Sequence, residues 1–232
     1  MDPADAAVAA SHCPPNMIEV TGDYCTELKH TCLRTLDADT KLRCAEFAPQ
    51  AVCKGTVQPK HFCIDAYEYP NREGEQPVVL KTWTEARGLC TAGGKRLCGG
   101  SEWTLACEGN GRLPYPYGTV RSAEACNIDK PEIDVDKAAL GNPQLRTQEA
   151  QRVDQSVRSG AYARCVSSYG VHDLTGNVDE WVVNETGTPY ESGSKGGYWG
   201  PVRNACRPMT TVHYEHFAFY QLGFRCCADL AP

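Results

Sequence analysis

Fourteen cysteines among 232 residues are the feature that most constrains this chain. A protein of a reducing compartment rarely carries so many unless they bind zinc or iron–sulfur clusters, and those sites use closely spaced C-x2-C pairs. No such pair occurs in this sequence. The nearest spacings are Cys25/Cys32, Cys90/Cys98, Cys98/Cys107 and the adjacent Cys226/Cys227. Disulfides formed in an oxidising compartment are therefore predicted, and the residues alone leave their pairing open.

Composition and charge exclude two broad classes of protein. The chain is 41% hydrophobic and 22% charged, which is typical of a folded globular protein. Its net charge of −6 comes without any basic cluster, so no nucleic-acid partner is expected. No apolar run approaches the roughly 18 residues that a membrane span needs. We expect a secreted, periplasmic or cell-envelope protein whose export signal is not in this chain, since residues 1–12 are an Ala-rich lead without an apolar signal core.

The sequence divides into three parts. Residues 1–12 are expected to be a flexible lead, residues 13–61 a cysteine-rich extension, and residues 62–232 the main domain. The extension has little hydrophobic periodicity, so it cannot bury much apolar surface and should depend on disulfides. A helical rhythm is visible there only at residues 26–36.

Local signals predict a loop-rich α+β domain. Thr82 and Glu85 stand at capping-box spacing and predict a helix that ends before Gly93. A second helix is expected from Ser101 or Glu102 to Glu108. Residues 112–165 are expected to be mostly loop, with one helix within 143–153. Strand-like runs occur at residues 62–67, 178–183, 197–199 and 223–227.

Four segments resemble, in order, motifs of the formylglycine-generating enzyme family, also called the sulfatase-modifying-factor family. They are FCIDAYE at 62–68; the stretch 77–103 with GKRL and SEW, followed by YPYG and CN; GVHDLTGNVDEW at 170–181; and GG at 196–197 followed by GFR at 223–225. The third is similar to the family's GLYDMxGNVWEW signature. The resemblance implies a fold like that of a C-type lectin, with two helices, short twisted strands and many loops.

The resemblance also implies two disulfides and one departure from the family. The expected bridges are Cys90–Cys226 and Cys107–Cys206. The family's oxidases hold Cu(I) with two cysteines just upstream of the position matched by Cys206, but residues 196–205 contain no cysteine. Formylglycine generation by that route is therefore not expected.

The resemblance implies calcium sites at two places. The first set is Asp173, Gly176, Val178 and Glu180; part of a second comprises Asn127 and the backbone of Ile128, with further ligands from the acidic loop that holds Asp129, Asp134 and Asp136. Ca²⁺ takes carboxylate, amide and backbone oxygens, which these residues supply. The alternatives are an Asp-stabilised turn at the first place and a solvated acidic run at the second.

The most enzyme-like cluster is His213-Tyr214-Glu215-His216. Two histidines and one carboxylate are the ligands of a facial triad that binds non-haem iron. A facial triad requires its ligands to converge on one ion. A further ligand would have to come from another part of the chain, and His172 is the candidate. The competing interpretation is an ordinary surface loop.

The closing loops carry the candidate ligand-binding residues Trp199, Arg203, Arg207 and Tyr214. Arginine with aromatic residues suits a peptide, protein or small-molecule ligand, although some of these rings are equally compatible with the core. The leading hypothesis is a calcium-stabilised binding or scaffold domain without the copper–cysteine centre. The alternative is an oxidoreductase that uses iron or copper, with His213, Glu215 and His216 as its catalytic ligands; a third is an enzyme with a free reactive thiol.

Overall fold

The computed structural model describes residues 12–39 and 42–230. All but the last residue of the expected 1–12 lead therefore lies outside the described residues. The strands in the described part are β1 (Met17–Cys25), β2 (Leu28–Lys29), β3 (Cys32–Thr35), β4 (Cys44–Phe47), β5 (Val52–Cys53), β6 (Val57–Asp65), β7 (Arg96–Leu97), β8 (Asp179–Val183), β9 (Ser192–Lys195), β10 (Met209–Thr210), β11 (Leu222–Phe224) and β12 (Cys226–Ala228). The helices are α1 (Trp83–Ala92), α2 (Gly100–Glu108), α3 (Lys137–Gly141) and α4 (Arg146–Val153).

Two four-stranded sheets organise the chain. The first has the order β1-β6-β12-β7, and its pairs are antiparallel. Its β1–β6 ladder runs from the pair Met17 and Asp65 to the pair Cys25 and Val57. Strand β6 thus runs across the expected boundary between residues 61 and 62, and the N-terminal part shares a sheet with the main domain. The second sheet has the order β10-β9-β8-β11, with β11 parallel to β8.

Both helices expected from local signals are present. The hydroxyl of Thr82 accepts a hydrogen bond from the Glu85 amide, the Glu85 carboxylate accepts one from the Thr82 amide, and α1 ends before Gly93. Helix α2 begins at Gly100, one or two residues earlier than expected, because the Glu102 carboxylate caps the amide of Gly99. Trp103 and Leu105 on α2 are fully buried, so this helix forms the centre of the larger hydrophobic cluster.

Two local expectations are wrong. Residues 26–36 form β2 and β3 rather than a helix, because Cys25 and Cys32 are bridged to partners on other strands. Residues 197–199 are not a strand; the strand that precedes them is β9, whose Ser-Gly-Ser-Lys sequence has little β propensity. It is buried between β8 and β10, so tertiary pairing determines its conformation. The expected helix within 143–153 is present as α4.

All fourteen cysteines lie in the described part and form seven disulfides, as predicted for an oxidising compartment. The structure contains the two bridges implied by the resemblance, Cys90–Cys226 and Cys107–Cys206. The other five are Cys13–Cys63, Cys25–Cys53, Cys32–Cys44, Cys98–Cys227 and Cys126–Cys165. The adjacent Cys226 and Cys227 therefore have separate partners, one on α1 and one before α2.

Candidate functional site

The signature segment 170–181 forms a tight turn that leads into β8. Asp173, Gly176 and Asn177 all have positive φ, a conformation that Asp, Asn and Gly tolerate best. A β-carbon at Gly176 would lie 2.4 Å from the carbonyl oxygen of Asn127 and from a methyl carbon of Ile128, so only glycine fits. The Asn177 amide donates to that same carbonyl at 2.9 Å. The two expected calcium segments are therefore direct neighbours in the fold.

A cluster of buried charge lies beneath this turn. The Arg225 guanidinium donates to both carboxylate oxygens of Glu180 at 2.7 Å, and Trp103 Nε1 donates to Glu180 at 2.7 Å. Glu68 is fully buried and accepts hydrogen bonds from Asn177 Nδ2 and from the Ser159 hydroxyl.

The cluster holds more negative than positive charge. Three carboxylates, those of Glu68, Asp173 and Glu180, lie around the single guanidinium of Arg225. Burial, together with repulsion from the other carboxylates, raises the pKa of Glu68 well above its ordinary value. Burial raises the pKa of Asp173 to about 6. A divalent cation bound here would offset this excess of buried negative charge.

Asn127 supplies a second indication of a ligand. Its Nδ2 donates to the carbonyl of Gln155 and to Oδ1 of Asn177, whereas its own Oδ1 is buried and accepts no hydrogen bond from any described residue. Buried amide oxygens are nearly always satisfied by protein, water or a cation. The donor set of oxygens from amides, carboxylates and backbone fits Ca²⁺. Two carboxylates of the acidic loop expected to complete this site are engaged elsewhere, since Asp129 pairs with Arg121 and Arg43 and Asp136 caps α3.

A cavity of about 460 Å³ opens where β8 and β9 meet the closing loops. Asp179, Ser194 and Lys195 line it from the sheet, and residues 196–198 and 201–203 line it from the following loop. Asp37 and Leu42 of the N-terminal part also line it. A smaller cavity of about 230 Å³ shares Leu42, Arg203 and Pro208 with it. Its remaining lining includes the apolar and aromatic residues Leu28, Phe47, Pro114 and Tyr115.

Asp179 and Lys195 bring opposite charges into this cavity. Asp179 Oδ1 accepts a hydrogen bond from the Gly197 amide at 3.2 Å, and Oδ2 accepts one from the Ser194 hydroxyl at 3.3 Å. Burial is the main cause that raises the pKa of Asp179 to about 7. Lys195 Nζ donates to the carbonyls of Arg207 and Pro208 at 3.0 and 3.3 Å and lies 5.3 Å from the centre of the Trp103 ring. Burial, and then the charge of Arg207, lower the pKa of Lys195 to about 7.

The four expected ligand-binding residues lie in different surroundings. Arg203 is exposed and lines both cavities. Arg207 lines the smaller cavity but forms an ion pair with Glu108 and donates to the carbonyl of Cys25 at 2.6 Å. Trp199 is only 2% exposed and packs in a hydrophobic cluster. Tyr214 is exposed and makes an edge contact with Tyr190.

The structure contradicts the expected facial triad. The His213 ring stacks on Phe217, with 4.0 Å between the ring centres, and Glu215 Oε1 accepts a hydrogen bond from the backbone amide of Glu191. His172 stacks on Tyr67 instead, with 4.9 Å between the ring centres. Within residues 12–39 and 42–230, no three His, Cys, Asp or Glu side chains converge to hold a metal ion. His213, Glu215 and His216 therefore do not form the expected iron or copper centre.

Sequence reasoning missed Glu68, Asp179 and Lys195. Asp179 carried a usable signal, because it stands where the GNVWEW signature has its first tryptophan in an otherwise well-matched segment. Lys195 lies on β9, which the local pattern did not reveal. Burial of Glu68 depends on side chains more than 90 residues away, so no local pattern indicates it.

Comparison with known families identifies the class of protein. The model of the sulfatase-modifying factor enzyme 1-like domain matches residues 42–230, and the chain belongs to this family. Similar proteins include the inactive C-alpha-formylglycine-generating enzyme 2 of Bos taurus, 28% identical over 66% of this chain and 50% of the relative. The formylglycine-generating enzyme of Mus musculus is 29% identical over 67% of this chain and 45% of the relative. The chain thus spans about half the length of these relatives.

Solved structures confirm the predicted fold. CarF superposes with a TM-score of 0.59 at 16% identity, over 94% of this chain and 99% of CarF. PvdO from Pseudomonas aeruginosa superposes with a TM-score of 0.54 at 16% identity, over 95% of this chain and 97% of PvdO. At this identity the likeness shows the fold alone. In the described residues, no helix has the length and apolar character needed to span a bilayer.

Proposed function

We propose that this chain is a calcium-stabilised binding domain of an exported protein, without the copper–cysteine chemistry of the family's oxidases. The observation that carries the proposal is the pairing of all fourteen cysteines in disulfides, while a cavity remains at the closing loops. The copper centre of the family's oxidases uses cysteine thiolates, and a cysteine held in a disulfide offers no thiolate. A similar protein bears the name of an inactive enzyme, which agrees with a family member that lacks the oxidase chemistry.

Calcium is proposed to bind at the turn 173–178, with Asp173 and Asn127 as side-chain ligands and backbone oxygens of Gly176, Val178 and Ile128. The excess of buried carboxylates and the unsatisfied Oδ1 of Asn127 support this site. Glu180 is the least available of the expected ligands, because Arg225 and Trp103 already occupy its oxygens. The ion would fix the conformation of the turn that precedes β8. It would thereby help to position Asp179, the first residue of β8, in the lining of the cavity.

The alternative oxidoreductase is not retained. Its ligand set is His213, Glu215 and His216; the side chains of His213 and Glu215 contact other partners, and in the described part of the chain the three do not converge on a metal position. The proposal places the protein in a secreted, periplasmic or envelope compartment, because seven disulfides require an oxidising environment to form.

Calcium titration tests the proposal. Thermal unfolding is measured after chelation with EGTA and again with Ca²⁺ at about 100 times its Kd, which should stabilise the folded state by about 2.7 kcal/mol. The variant Asp173→Ala should lose most of this calcium-dependent gain, whereas Asp23→Asn, an exposed change on β1, should retain it. Equal unfolding temperatures with EGTA and with Ca²⁺ would contradict the calcium site.

A second assay addresses the chemistry. The protein is incubated with Cu(I), oxygen and a cysteine-containing peptide, and the peptide mass is followed. The proposal predicts no aldehyde product, since every thiol that could hold copper is oxidised. Turnover to an aldehyde would overturn it.

A further inference from the structure

Most of the buried and half-buried carboxylates discussed above have a cationic partner. The ion pairs are Lys95–Asp65, Arg207–Glu108, Arg121–Asp129 and Arg225–Glu180. Glu68 and Asp173 share the neighbourhood of Arg225, and Asp173 is a ligand of the proposed calcium site. Asp179 has no cation within 4.0 Å among the described residues, yet it lines the larger cavity. A half-buried carboxylate without a paired cation gains stability when an opposite charge joins it.

Asp179 retains hydrogen-bonding capacity toward the cavity. A carboxylate has about four acceptor positions on two oxygens. The Gly197 amide and the Ser194 hydroxyl use one position on each oxygen. Each oxygen can therefore accept one further hydrogen bond, which suits an ammonium group with its three donors.

The nearby lysine does not supply that partner. Lys195 Nζ donates to the carbonyls of Arg207 and Pro208 and lies over the Trp103 ring. The amine engaged in these contacts forms no ion pair with Asp179 within 4.0 Å. Arg203 acts on Asp179 through its charge, but no described cation forms an ion pair with it within 4.0 Å, so the carboxylate remains open to the cationic group of a ligand.

Arg203 brings a positive charge to the cavity that Asp179 also lines. Its guanidinium lines the same cavity and makes no hydrogen bond or ion pair with any described residue, in contrast to Arg121 and Arg207, which are both paired. A free guanidinium fork binds a carboxylate through two parallel hydrogen bonds. The cavity volume of about 460 Å³ falls within the range of small-molecule sites.

We propose that this cavity binds a small zwitterion of the amino-acid type, with its ammonium group at Asp179 and its carboxylate at Arg203. This inference rests on the proposed binding function and names the class of ligand. Tyr198 and Thr210 line the same space and supply hydroxyl groups for the remainder of the ligand. A ligand with both charges satisfies both unpaired side chains, whereas a ligand with one charge leaves the other unsatisfied.

Calorimetric titration of the calcium-loaded protein tests the inference. The probes are glycine, 4-aminobutyrate and 6-aminohexanoate, which differ in the spacing of their charges, with butylammonium and butyrate as single-charge controls. At least one zwitterion should bind with a Kd at least tenfold lower than either control. Asp179→Asn and Arg203→Gln should each weaken that zwitterion at least tenfold, while Asp23→Asn and Arg164→Gln, at exposed sites, should leave its Kd unchanged.

The results separate this inference from the proposed function. Absence of binding by all three zwitterions, equal binding by a single-charge control, or unchanged binding in both cavity variants would overturn the inference. Calcium affinity is measured on the same samples, so its retention alongside any of these results would leave the calcium proposal intact. If Asp179→Asn does not fold, Arg203→Gln still decides, because Arg203 is exposed and its guanidinium makes no hydrogen bond or ion pair with a described residue.

Discussion

The N-terminal segment and the rest of the chain are stabilised in different ways. The segment, residues 12–39 and 42–56, holds one end or both ends of three disulfides and contains the fully exposed strand β3. The rest, residues 57–230, buries Trp103, Trp181 and Phe224 almost completely and holds the Glu180–Arg225 ion pair. Covalent bridges thus replace hydrophobic burial where the strands have little apolar surface to cover.

The two parts nevertheless meet at the cavity. Asp37 and Leu42 of the N-terminal segment line it together with Asp179 and Lys195 of the main domain. Arg43 pairs with Asp37 and with Asp129, so a charge network connects the two sides. The N-terminal segment therefore lines part of the cavity, so its conformation matters for binding as well as for folding.

The largest effect is expected from the buried bridge in the main domain. The double variant Cys107→Ala/Cys206→Ala opens a loop with a sequence separation of 99. On the chain-entropy model it should lower the free energy of unfolding by about 4–5 kcal/mol. Urea unfolding without reductant measures this loss. A loss below about 2 kcal/mol would show that burial, and not the bridge, dominates there.

The second-largest loss of stability is expected when the buried ion pair between Glu180 and Arg225 is broken. In Glu180→Gln the amide can no longer balance the Arg225 guanidinium, so an uncompensated charge remains buried. The expected loss is about 3–5 kcal/mol in the free energy of unfolding. Glu124→Gln breaks an exposed pair with Arg164 and should cost no more than about 1 kcal/mol. Equal losses in the two variants would contradict the role given to burial.

The outer bridge of the N-terminal segment should have a smaller effect. Cys32→Ala/Cys44→Ala opens a loop with a separation of only 12, which corresponds to about 3 kcal/mol. Since β3 is exposed, little packing is lost in addition. A loss larger than that of Cys107→Ala/Cys206→Ala would reverse the comparison between the two regions.

The smallest effect is expected in the acid dependence of stability that arises from Asp37. The Arg43 side chain lowers the pKa of Asp37 below its ordinary value of 3.8, so the folded state binds this proton less readily than the unfolded state. The stabilisation that ionised Asp37 gives the folded state is therefore present above about pH 4. It is lost as the pH falls through the lowered pKa of Asp37. Asp37→Asn should flatten this part of the urea-midpoint profile between pH 2.5 and 6. An unchanged profile would show that the pair contributes nothing.

Local signals predicted the helices well and the strands less well. The capping box at Thr82 and Glu85 and the glycines at 93–94 fix α1 from sequence alone. The exposed strands β2 and β3 were missed, because disulfides and partner strands rather than local propensity determine them.

The candidate site was predictable only in part. The signature segment indicated the turn at 173–178, because its residues are contiguous in the sequence. Asp179 and Arg203 line one cavity only after β8, β9 and the closing loops assemble. Their spacing in the sequence therefore does not predict that they lie close together. The histidine cluster looked like a metal site in the sequence, but Phe217 and the backbone of Glu191 engage His213 and Glu215 in the fold.

Native mass spectrometry of the unreduced protein tests the central claim most directly. The account predicts a mass lower by fourteen hydrogens than that of the fully reduced chain, together with bound calcium that EGTA removes. Two or more free thiols, or copper retained by the purified protein, would contradict it.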